Sequence, residues 1–127
     1  MVQTAASAAK ASEFPTQMYI DGQWSDAAGG KTLAVNNPDD ESVIAEVAYG
    51  DSSETGAAIE AAARAMPAWR ALSVYDRAKI LKKTAELLRE RADKVARALT
   101  QEQGKPLAEA RGEVLHSADT FEWFAEE

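Results

Sequence analysis

Thr100-Gln101-Glu102-Gln103-Gly104-Lys105-Pro106-Leu107 is the stretch on which the fold turns. Gly104 stands where a helix C-terminus favours a residue tolerant of the left-handed region. Pro106 is then placed for the first turn of a following helix, where its missing N–H costs nothing. Upstream, Val95, Ala96 and Leu99 are expected to face a core, and Asp93 starts a third helical run or continues the second. Downstream, Leu107, Ala110, Val114, Ala118, Phe121 and Ala125 recur at helical spacing and predict one continuous apolar face. A natural helix end tends to carry Lys or Arg in its last turn and Gly beyond it. This one reaches Glu126-Glu127, two acids at the negative end of the helix dipole, so the expectation is a cut within a longer helix.

Before this stretch, Ser73 is placed to cap a helix with Asp76 in its first turn, where the dipole favours an anion. Ile80, Leu81, Thr84, Leu87 and Leu88 form its expected buried stripe. An Ala-rich helix precedes it. Asp51 and Glu54 have capping-box spacing at its start, and Pro67 is expected to end it after about Met66. Earlier still the period is that of strands. Asp21-Gly22 between Met18-Tyr19-Ile20 and Gln23-Trp24-Ser25 predicts a hairpin, because both turn residues must tolerate positive φ. Ala28-Gly29-Gly30-Lys31 and Asn36-Asn37-Pro38-Asp39-Asp40 read as turns around the strand Thr32–Val35, and Ser42–Ala48 reads as another strand. The expected fold is α/β, with two or three short β segments followed by three or four helices.

Composition limits the function classes. With 127 residues, 46% of them hydrophobic, the chain can build one modest core. Its net charge of -7 repels nucleic acid and anionic lipid. Lys79, Lys82, Lys83, Arg89 and Arg91 alternate with Glu86 and Glu90, the pattern of a solvated helix face. No stretch approaches the ~20 apolar residues of a membrane span. The absence of Cys excludes disulfides, thiolate nucleophiles and thiolate metal ligands within this chain. Residues 1–15 are rich in Ala, Ser and Thr, and are expected to be a mobile tail, with a short organelle address as the alternative.

Catalytic patterns are missing. The glycines do not form G-x-G-x-x-G, and Gly104-Lys105 runs into Pro106 instead of Ser or Thr, so there is no phosphate loop. The single histidine, His116, cannot make a two-histidine metal site and is expected at the surface. Glu109 and Glu113 lie four apart, with Lys105 and Arg111 close enough to pair with acids on that face. Trp24, Trp69 and Trp123 fall in three elements and are expected to pack separately.

The words Tyr19-Ile20-Asp21-Gly22-Gln23-Trp24, Asn37-Pro38 with Val43-Ile44-Ala45-Glu46-Val47, Ala61-Ala62-Ala63-Arg64-Ala65 with Trp69, Arg77-Ala78 with Ile80-Leu81, and Leu87-Leu88-Arg89-Glu90-Arg91 occur in this order. With Thr100 to Glu113 and Trp123-Phe124-Ala125-Glu126-Glu127, the chain resembles the aldehyde dehydrogenase superfamily from about Thr16 onward, and its succinate-semialdehyde dehydrogenase branch most of all. One departure is Asn37-Pro38-Asp39-Asp40-Glu41, where the family commonly has a Gly in the turn.

The resemblance implies that residues 16–127 are the N-terminal, incomplete part of a Rossmann-like cofactor-binding domain. It implies an enzyme in which a cysteine thiolate attacks the aldehyde, a hydride passes to NAD or NADP, and a glutamate-activated water releases the acid. Those residues and the main cofactor contacts come later in the family, so no catalytic or cofactor-binding residue carries over. A structural Na+ or K+ carries over in part: Glu102 would supply the acid, Val35 and Asn36 backbone carbonyls, and oxygen ligands suit a hard cation. The family often has Asp at the acid position. The implied partner is the remainder of the dehydrogenase, which would form a homo-oligomer in the cytoplasm, or in mitochondria if residues 1–15 act as a transit segment. The competing expectation from another class is a stand-alone helical interaction module offering the Leu107 to Phe121 stripe.

Overall fold

The computed structural model describes residues 13–127, so residues 1–12 of the expected tail lie outside it. Contacts divide the chain into two compact units, one through Ala63 and one from Arg64.

In the first unit, β1 (Met18–Ile20) and β2 (Gln23–Ser25) form the antiparallel hairpin read from Asp-Gly. Asp21 at φ 53° and Gly22 at φ 78° give the left-handed turn whose twist matches the strands. Tyr19 and Trp24 face each other across it with ring centroids 4.9 Å apart. A single 3-10 turn, Ala28–Gly30, leads into β3 (Thr32–Asn36), which pairs antiparallel with β4 (Val43–Ala48). The ladder slips between Val35 and Asn36, a bulge. Four strands are therefore present among the described residues where two or three were expected, in two separate antiparallel pairs.

The β3–β4 turn explains the departure at Asn37 to Glu41. Asn37 Oδ1 accepts from the Asp39 N–H at 3.1 Å, and the Glu41 N–H donates to the Asn37 carbonyl at 2.8 Å. This closure puts Glu41 at φ 59°, a region that favours glycine. A side chain there costs about 1–2 kcal/mol, which is why a Gly suits such a turn.

Helix α1 (Ser52–Ala71) begins with the expected capping box. The Asp51 side chain accepts from the Ser53 N–H at 2.8 Å, and Glu54 reaches back to the Asp51 N–H at 2.8 Å. Its far end corrects the sequence reading. Pro67 lies inside the helix, which continues to Ala71. A proline removes one i to i−4 hydrogen bond and crowds one carbonyl. Ala68, Arg70 and Ala71 are good helix formers, and they carry the helix past it.

The second unit holds α2 (Val74–Glu90), α3 (Ala92–Gln103) and α4 (Leu107–Glu126). Ser73 caps α2 as expected, its hydroxyl accepting from the Asp76 N–H at 3.1 Å. Arg91, at φ -101° and ψ 10°, breaks the backbone between α2 and α3, so Asp93 belongs to a separate helix. Gly104 closes α3 at φ 70°, with its N–H on the Thr100 carbonyl at 2.8 Å. Pro106 proves to be the N-cap of α4 and not its first turn, because it adopts ψ 134°.

Helix α4 packs on both α2 and α3. The core where they meet is Ala92, Ala96, Ala110 and Val114, lined by Leu88, Val95, Leu99 and Leu115. The predicted stripe of α4 is correct at its centre, and that of α2 is half-buried and misses the buried residue. Ala110, Val114 and Ala118 are buried on α4, but Leu107 and Phe121 of its stripe are exposed and Ala125, its last member, is half-buried. On α2 the buried residue is Ala85, while Ile80 is 48% exposed. Periodicity gives the direction of a face, and neighbours decide how far along it burial extends.

Candidate functional site

The residues implied for a cation lie on well-defined local structure. Val35, half-buried, and Asn36, exposed, are the last residues of β3. They flank the bulge, where the ladder is disrupted and a backbone residue is left unpaired. Glu102 is exposed in the last turn of α3, two residues before the left-handed Gly104. Among the described residues no group of three His, Cys, Asp or Glu could hold a metal ion. Val35 and Asn36 belong to the first unit and Glu102 to the second.

Several other charged groups are engaged with one another. Arg89 on α2 donates to Asp119 at 2.7 Å and to Glu122 at 2.5 Å on α4. These hydrogen bonds raise its pKa above the ordinary arginine value, Asp119 contributing most. Lys82 meets Glu126 at 2.6 Å, and that hydrogen bond raises the lysine pKa. The pair sets a cation against one of the two acids at the C-terminal end of α4, offsetting the unfavourable dipole contact. Lys105 pairs with Glu113, and Arg111 with Asp93 at 2.8 Å. Of the Glu109–Glu113 spacing, Glu113 is thus ion-paired with Lys105 at the surface. His116 is exposed on α4, as expected.

Glu54 was legible only as half of a cap. Its second oxygen also accepts from the Ala28 N–H at 2.8 Å, 26 residues away. Hydrogen bonds from the Asp51 and Ala28 N–H groups hold its pKa down, from an ordinary 4.5 to about 2. A carboxylate with a depressed pKa adds stability that is fully present above its unfolded value and lost as pH falls through the folded one. Unfolding between pH 5 and about pH 2 should therefore be less pH-dependent in Glu54→Gln than in the parent. Circular dichroism at stepped pH measures this, and identical acid profiles would remove Glu54 from the account.

The aromatic residues did not all find packing partners. Trp24 lies against Tyr19, but Trp123 is 66% exposed and Phe124 64%. Among the described residues no large side chain is fully buried; alanines and Val114 make the core of the second unit. Ile59, Val74 and Tyr75 are also more than half exposed. What this arrangement can do is hold helices together and present apolar surface. No described helix is long and apolar enough to cross a membrane.

Comparison with known proteins defines the class. The pattern of the aldehyde dehydrogenase family matches residues 24–127, and the chain belongs to that family. It is 49% identical over 114 residues to the glutarate-semialdehyde dehydrogenase of Pseudomonas aeruginosa, covering 90% of this chain and 24% of that protein. It is 48% identical over 114 residues to the NADP(+) succinate-semialdehyde dehydrogenase of Escherichia coli, again covering 90% and 24%. The crystal structure of succinate-semialdehyde dehydrogenase from Burkholderia pseudomallei superposes with a TM-score of 0.86 at 39% identity, over 92% of this chain and 25% of that one. The chain spans about a quarter of the length of these relatives.

Proposed function

We propose that this chain is the N-terminal portion of an NAD(P)-dependent semialdehyde dehydrogenase, which oxidises succinate semialdehyde to succinate. Glutarate semialdehyde, one methylene longer, is the alternative substrate; both are named among the relatives. The observation that carries the reading is the surface. The core is made of alanines and one valine, while Ile59, Val74, Tyr75, Trp123 and Phe124 stay more than half exposed. Exposed apolar side chains in this number support that reading, and the rest of the dehydrogenase is their proposed cover. The helical-module alternative loses its docking face, because Ala110, Val114 and Ala118 in the middle of that stripe are already buried.

The chemistry belongs to residues outside this chain, since thiolate attack needs a cysteine that it lacks. The chain's own residues supply the scaffold: Gly104 and Pro106 redirect the backbone between α3 and α4, and Arg89 ties α2 to α4. The purified chain with succinate semialdehyde and NAD+ or NADP+ should yield no reduced cofactor. A gene product joining this segment to a Cys-containing dehydrogenase should yield it readily. Turnover by the chain alone would overturn the proposal, as would a joined product inactive on both semialdehydes.

From the family resemblance, a structural cation with Glu102 as its acid ligand is proposed for the same enzyme. Thermal unfolding of the joined product should shift upward with added K+ or Na+, and Glu102→Ala should abolish the shift. Melting curves indifferent to either ion would eliminate the site.

A further inference from the structure

No further inference is drawn: the strongest candidate, the outward stripe of Ile59, Met66 and Trp69 along α1, belongs to the apolar surface already assigned to the rest of the enzyme, and nothing in the structure shows a different occupant.

Discussion

Ala96→Leu should destabilise the second unit by about 1–3 kcal/mol, the usual result of forcing extra methylenes into a packed core. Ala96 is 0% exposed on α3 and clusters with Ala92, Ala110 and Val114. Contacts between small side chains let helix backbones approach closely, and leucine adds three heavy atoms at a fully buried position. Relief would require α3 and α4 to separate, which would also loosen the contact of α4 with α2. The control is Ala108→Leu on the exposed side of α4, which should stay within about 0.5 kcal/mol of the parent. Urea unfolding followed by circular dichroism measures both. Equal midpoints for the two variants would mean that the α3–α4 interface is not close-packed.

Gly104→Val should cost a similar amount for a different reason. Gly104 ends α3 at φ 70°, ψ 12°, and its N–H holds the Thr100 carbonyl. A β-branched residue in the left-handed region is strained by about 1–3 kcal/mol. The chain can avoid the strain only by unwinding the end of α3 or changing its direction into α4. Gly104→Ala, with one methyl, should cost about 1–2 kcal/mol. The order glycine, alanine, valine in falling urea midpoint is the signature of backbone strain. A valine variant as stable as the parent would show that the left-handed cap is dispensable.

These two substitutions also separate what could and could not be read beforehand. The cap at Gly104 was legible because a helix stop is local chemistry: one residue, one torsion, one orphan carbonyl. The Asp21-Gly22 hairpin, the Ser73 cap and the Asp51–Glu54 box were legible for the same reason. Pro67 misled because a proline weakens a helix without always ending it, and the residues around it decide. Ala85 was overlooked because an alanine contributes little to a hydrophobic stripe, although here it is among the most buried residues. Of the candidate site, the family resemblance supplies the ligand types only as an expectation, and the residues themselves show that no cysteine is present. The bulge between Val35 and Asn36 was not, since it depends on the register with β4.

By itself the sequence determined the starts of α1 and α2, the end of α3 at Gly104, which turn closes the first hairpin, and that no thiolate chemistry can occur within these 127 residues. Each of these follows from interactions spanning a few residues. Only the tertiary structure decided which apolar residues are covered, and that Arg89 finds Asp119 and Glu122 thirty and more residues away. It alone showed that Glu54 binds the Ala28 N–H as well as its own helix start. Such pairings depend on how helices and turns are brought together, and no spacing along the chain encodes that distance. The exposed Trp123 and Phe124 mark the limit of both: periodicity puts aromatic residues on the helix, and packing within this chain leaves them uncovered.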